Sequence, residues 1–213
     1  MKIIILGPQG SGKGTYASRL SPKLRIPHIS TGDICREEVK KGTSLGKEIE
    51  KYVNAGELVP DEIIISMLKK RLEKEDCKNG FILDGFPRTL NQAKELEKIA
   101  PPDVALYLDV PEWILLERLT SRVICEKCGK IYNLRTLKPK KEGICDICGG
   151  KLIRRKDETP EAIKKRLEEY EKKTKPLISY YEEKGILKKV SCDKIDIPPE
   201  VMVEKILKIL SVK

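Results

Sequence analysis

The sequence predicts an α/β fold, a doubly wound parallel sheet interrupted by two insertions. Three observations lead there. Apolar runs at Ile3–Leu6, Phe81–Leu83 and Val104–Val110 are continuous rather than alternating, as in strands buried on both faces. Amphipathic helical patterns lie between them, and strand–helix alternation implies parallel strands joined by crossovers. The first run breaks directly into a glycine-rich turn, Gly7–Thr15, that opens a helix at Tyr16–Leu20.

The remaining elements follow in order. His28–Ser30 reads as a short strand and Ile186–Val190 as a weaker one. Helical patterns cover Gly32–Lys40, Ser44–Asn54, Asp61–Glu75, Leu90–Ile99, Glu112–Ser121, Pro160–Glu183 and Pro199–Leu210. Thr31 precedes the first of these, either as a plain N-cap or as a ligand contact. Pro60 suits a helix start. Residues 30–59 break the strand rhythm and form a small helical insertion. Ligands of such sheets sit at the carboxyl ends of the strands. That brings Gly7–Thr15, Asp84–Arg88 and the segment after Ile29 around one crevice.

Gly7, Gly12 and Lys13 fit the P-loop pattern G-x4-G-K. Its glycines free main-chain N–H groups to cradle anions, and the lysine adds a point charge for the β- and γ-phosphates. Position 14 is glycine where Ser or Thr is usual, and Thr15 follows, so the hydroxyl that commonly meets Mg²⁺ is displaced by one residue. The fold is therefore expected to be of P-loop NTPase type. In Phe81–Thr89, an apolar strand ends on Asp84, a carboxylate placed to hold Mg²⁺ directly or through water. Gly85 and Pro87 shape a turn that presents Arg88 to a phosphate. Arg118 and Arg122 are expected on one face of a single helix, at i, i+4 spacing. His28, the lone histidine, reads as structural.

Cys125-x2-Cys128, sixteen residues, then Cys145-x2-Cys148 is the spacing of a closed tetrahedral Zn²⁺ site. The surrounding segment is lysine-rich and poor in apolar residues, so the metal takes the place of a core. The alternative for each pair is a redox dithiol. Seven cysteines, an odd number, argue against a disulfide framework. Cys35, on a first helical turn beside the crevice, is either a buried small side chain or a reactive thiol.

The chain has 213 residues, enough for one sizeable core with insertions. Its formal charge of +10, from 43 basic and 33 acidic residues, suits phosphate-rich partners, although much of it lies on solvated helix faces. With 36% charged residues and glutamine only at Gln9 and Gln92, the composition leans towards a heat-adapted source. No apolar run approaches the ~20 residues of a membrane span, and Met1 leads directly into a strand, so a cytoplasmic protein without a targeting peptide is expected.

Taken in order, Gly-Pro-Gln-Gly-Ser-Gly-Lys-Gly-Thr, Ser-Thr-Gly-Asp, Gly-Glu-Leu-Val-Pro-Asp and Asp-Gly-Phe-Pro-Arg-Thr resemble adenylate kinases of the long type with a zinc-bearing lid. The resemblance covers nearly the whole chain. It implies reversible phosphoryl transfer from MgATP to AMP, giving two ADP and maintaining adenine nucleotide balance, by a monomer. It implies a core of residues 1–29, 60–120 and 159–213, an AMP-binding insertion at 30–59 and a lid at 121–158. ATP would be held by Gly10, Ser11, Gly12, Lys13, Gly14, Thr15, Arg118, Arg122, Ile131, Tyr132 and, near the last helix, Ile197. AMP would be held by Thr31, Arg36, Glu57, Leu58, Val59, Gly85, Phe86, Pro87, Arg88, Gln92, Arg155 and Arg166, with Gln92 reading the adenine edge. Lys13, Arg88, Arg122, Arg155 and Arg166 would be catalytic, Asp84 would meet Mg²⁺ through water, and Cys125, Cys128, Cys145 and Cys148 would hold Zn²⁺. The chain departs from the family where Asp157-Glu158 replaces a common Asp-Asp, which shifts a lid–core pairing. It departs again at Ser191–Pro198, where relatives often show Asp-Gly.

Two rival readings have distinct signatures. A UMP or CMP kinase shares the P-loop and Asp-Gly-Phe-Pro-Arg, but the four-cysteine lid and Gln92 oppose it. A zinc-ribbon nucleic-acid binder uses the net charge but leaves the P-loop and Arg88 unexplained. The lid's only aromatic residue, Tyr132, is thin support for base stacking. Neither nucleic acid nor a membrane is therefore expected as a partner.

Overall fold

The computed structural model describes residues 1–155 and 158–211. The chain opens with strand β1 (Lys2–Leu6), helix α1 (Lys13–Leu24) and strand β2 (His28–Ser30). Helices α2 (Thr31–Lys40), α3 (Ser44–Ala55) and α4 (Asp61–Leu72) precede β3 (Phe81–Asp84), α5 (Leu90–Ile99), β4 (Val104–Asp109) and α6 (Glu112–Thr120). Three short strands follow, β5 (Arg122–Cys125), β6 (Ile131–Asn133) and β7 (Leu152–Ile153). The chain returns through α7 (Pro160–Glu169), α8 (Leu177–Glu183), β8 (Leu187–Ser191) and α9 (Pro199–Ile209).

The main sheet runs β2-β3-β1-β4-β8, with every pairing parallel. Alternation along β1 shows why it is covered twice. Ile3 and Ile5 enter an apolar cluster with residues of α1, α6 and α9, while Ile4 and Leu6 enter a second with residues of α4, α5 and α8. All four side chains are buried, each contributing roughly 1.5–3 kcal/mol. The doubly wound α/β expectation therefore holds. β1 lies between β3 and β4, where strand order reverses, and its carboxyl end opens on the crevice.

Several boundaries differ from the expectations. The helix expected over Pro160–Glu183 divides, because a π-helical turn, Tyr170–Thr174, and Pro176 interrupt it before α8. The helix from Asp61 stops at Leu72 and gives way to a 3-10 turn at Glu75–Cys77. Helix α6 ends at Thr120 and Arg122 begins β5, so Arg118 and Arg122 do not share a helix. Residues 122–153 contain a second, antiparallel sheet ordered β6-β5-β7, which the cysteine spacing alone did not reveal.

Candidate active site

The glycine turn departs from the end of β1 in a path that requires its glycines. Gly12 caps α1 at φ +100°, and a Cβ there would meet the Tyr16 ring at 2.8 Å. Gly14, the departure from the usual pattern, is explained by crowding. A Cβ there would lie 3.2 Å from Asp84 Oδ2 and 3.5 Å from Ile131 of the small sheet. The bare backbone lets both approach the loop. Lys13 Nζ donates to the Gly7 and Pro8 carbonyls at 2.8 Å each, holding the turn closed.

Sheet register carries the other groups here. Asp84 pairs with Ile5 on one side and Ser30 on the other, so its carboxylate emerges beside the loop. His28 Nε2 lies 3.6 Å from Asp84 Oδ2. The histidine expected to be merely structural therefore faces the crevice. Burial pushes the Asp84 carboxyl up, but His28, Lys13 and Arg88 outweigh it and hold it below the usual range. After Asp84 the chain turns so that Arg88 Nε donates to Gly85 O at 2.8 Å. Thr31 Oγ1 also donates to Gly85 O, at 2.8 Å, besides standing at the start of α2.

These elements wall a cleft of about 1260 Å³. Lys13, Arg36, Arg88, Arg122, Arg155 and Arg166 all line it. Burial and crowding both disfavour the charged forms of Lys13, Arg155 and Arg88, and their acidities record it. Burial, offset in part by Asp84, drives Lys13 down to about 8, with Arg88 and Arg122 adding to the fall. Burial and then Arg36 and Arg122 push Arg155 down to about 10. Burial also lowers Arg88. A site that gathers cations at such electrostatic cost is built for a polyanion. Glu158 supplies part of the balance: its side chain is 5% exposed, is ion-paired to Arg122 and lies 3.6 Å from Arg155. Its neighbour Asp157 lies outside the described residues.

Of the residues expected to bind nucleotide, Gly10, Gly12, Gly14, Thr15, Arg118, Ile131, Tyr132 and Ile197 line the cleft. So do Thr31, Glu57, Leu58, Val59, Gly85, Pro87 and Gln92. Ser11 and Phe86 do not. Both are buried behind the wall, where Phe86 joins the core under the sheet and Ser11 presents its carbonyl to Arg118 at 3.3 Å. Ile197 lies beside Ile195 and Pro199 in the wall formed by the loop before α9. Sequence reasoning missed Cys192, whose Sγ accepts from Arg118 Nη2 at 3.3 Å. The only signal was a cysteine in the stretch where relatives often carry Asp-Gly. Cys35 is 5% exposed, and burial pushes its thiol up, which favours the buried small side chain over a reactive one.

Beside the small sheet the four thiols converge, Cys125 from the end of β5 and the others from the turns around it. Their sulfurs lie within 4.8 Å of one another, with Cys125–Cys148 at 3.4 Å and Cys128–Cys145 at 3.6 Å. A tetrahedral ion bonded to sulfur at about 2.3 Å sets its ligands about 3.8 Å apart, so this donor set fits one. Val123, Cys125, Tyr132 and Cys145 form the only apolar cluster around it among the described residues.

A P-loop with an acid on the neighbouring strand and a ring of cations defines a nucleotide-binding phosphotransferase cleft. The family model described as Adenylate kinase matches residues 5–186. The adenylate kinase of Clostridium tetani is 53% identical over 192 residues, covering 88% of this chain and 89% of that one. That of Caldicellulosiruptor saccharolyticus is 54% identical over 192 residues, with the same coverage. That of Clostridium botulinum strain Langeland is 52% identical over 196 residues, 90% and 91%. The chain belongs to the adenylate kinase family.

Proposed function

We propose that this chain transfers the terminal phosphoryl group of MgATP to AMP, reversibly, giving two ADP. The convergence of Lys13 and the five arginines on one cleft is the observation that carries the reading. The AMP phosphate is itself an anionic nucleophile, so little base catalysis is needed. The protein's task is alignment and neutralisation of the equatorial oxygens.

In this reading Gly10, Gly12–Thr15, Arg118, Ile131, Tyr132 and Ile197 take ATP. Thr31, Arg36, Glu57–Val59, Gly85, Pro87, Arg88 and Gln92 take AMP from the opposite side. Arg88, Arg122, Arg155 and Arg166 surround the phosphoryl group in flight, and Lys13 holds the donor's β- and γ-phosphates. The acidic, half-buried carboxylate of Asp84 beside Gly14 suits a hydrated Mg²⁺, which would neutralise charge between the phosphates. Zn²⁺ in the Cys125, Cys128, Cys145 and Cys148 cluster would brace the small sheet without entering the chemistry.

Residues 121–158 act as a lid on a core of 1–29, 60–120 and 159–213, with 30–59 as the AMP-binding insertion. Ile131 beside Gly14 supports a lid that covers the phosphate loop and excludes water. Among the described residues no helix is long and apolar enough to cross a membrane. A cytoplasmic monomer without nucleic-acid or membrane partners completes the proposal. Coupled ADP production from ATP with AMP, CMP and UMP in turn tests it, and preference for AMP is expected. Faster turnover with CMP or UMP would overturn the acceptor assignment.

A further inference from the structure

Gln92 is 2% exposed at the cleft wall, and both ends of its amide are already engaged. Its Oε1 accepts from the Arg88 backbone N–H at 2.7 Å, and its Nε2 donates to Asp61 Oδ1 at 2.7 Å. A backbone N–H only donates and an ionised carboxylate only accepts. The two partners therefore allow one amide orientation, because a flip would set donor against donor and acceptor against acceptor. The other Asp61 oxygen, Oδ2, accepts from Thr89 Oγ1 at 3.0 Å and Asn91 Nδ2 at 2.8 Å, which pins the carboxylate at the start of α4.

Each end of the Gln92 amide keeps one further valence, an N–H and an oxygen lone pair. That pair complements a base edge with a ring acceptor beside an exocyclic amine, the 6-aminopurine pattern. It opposes a 6-oxopurine, whose ring N–H and carbonyl reverse the pattern. We infer that Asp61 is a positioning residue that makes the acceptor site selective for 6-amino over 6-oxo purine monophosphates, by fixing which way the Gln92 amide faces. The inference rests on the reading of Gln92 as the residue facing the AMP base.

The test compares kcat/KM for AMP and IMP, with ATP as donor, in the wild type, Asp61→Asn, Gln92→Ala and Asn91→Ala. An asparagine at 61 presents either an oxygen or an NH₂, so of the two partners only the Arg88 backbone N–H then opposes a flipped amide. The AMP:IMP ratio is expected to fall about tenfold in Asp61→Asn, the scale of one hydrogen bond to a charged group. It is expected to stay unchanged in Asn91→Ala, which loosens the same carboxylate without touching Gln92. If Gln92→Ala raises KM for AMP but Asp61→Asn leaves the ratio unaltered, the role of Asp61 is overturned. If Gln92→Ala leaves KM for AMP unaltered, the base-facing reading of Gln92 falls first.

A second measurement needs no variant at 61. Only Gln9 and Gln92 contribute glutamine side-chain amide signals. In the free wild-type protein one Gln92 amide proton is expected to be protected from solvent exchange. Free exchange of both Gln92 protons in the folded protein would overturn the lock.

Discussion

The crevice at the carboxyl end of the main sheet and the small sheet with its four-cysteine cluster reach order by opposite means. The crevice rests on five parallel strands with an apolar cluster on each face; loops leaving that core hold Lys13 and Arg88, while Arg122 and Arg155 reach the crevice from β5 and from just past β7. The small sheet has strands of two to four residues and an apolar cluster in which two of the four buried members are themselves cysteines. A large core stores enough free energy to support unfavourable charge. A small one needs cross-links to exist at all. Function is concentrated where there is stability to spare, and the metal-type donor set appears where there is none.

Breaking the two regions separately should give unlike results. The largest effect is expected from Arg88→Ala, with turnover falling by about 2–4 kcal/mol of barrier, as for a lost transition-state donor. Steady-state kcat at saturating nucleotides, read beside an unchanged thermal melt, checks it; near-normal kcat would remove Arg88 from the cage. Next comes loss of the metal, by chelation or by Cys145→Ser. Hydrogen exchange should rise across β5–β7 while β1, β3 and β4 keep their protection, and the melting temperature should fall more than turnover at moderate temperature. Abolished turnover with β5–β7 still protected would contradict the division of labour.

A smaller effect concerns protons. With Lys13 at about 8 against an ordinary 10.5, the unfolded chain binds more protons than the folded one between those values. The Lys13 contribution to stability of the free protein therefore rises with pH through that window. Polyphosphate binding favours the charged amine, so ATP binding near pH 8–9 should take up protons and weaken as pH rises. Calorimetry in two buffers of different ionisation heat measures the uptake, and zero uptake would refute it. The smallest effect is expected at Thr159, whose Oγ1 accepts from Ala162 N at 3.2 Å where α7 leaves the small sheet. Thr159→Ala should cost about 1 kcal/mol in denaturant melts.

By itself the sequence determined what depends on neighbours along the chain. Unbroken apolar runs specify buried strands, the glycine–lysine turn specifies an anion cradle, and two C-x2-C pairs specify a four-thiol site, because each signal spans only a few residues. Tertiary structure decided what depends on groups far apart in the chain. Asp61 meets Gln92 across 31 positions, Arg118 meets Cys192 across 74, and Glu158 reaches Arg122 across 36. No local pattern marks such partners, so Asp61 looked like an ordinary helix start until packing set it against Gln92, and His28 like an ordinary strand residue until the sheet register set it at the crevice. The break of α6 before Arg122 was hidden for the same reason: the pairing of β5 with β6 and β7, made beyond the helix, overrides a sequence that could have continued it.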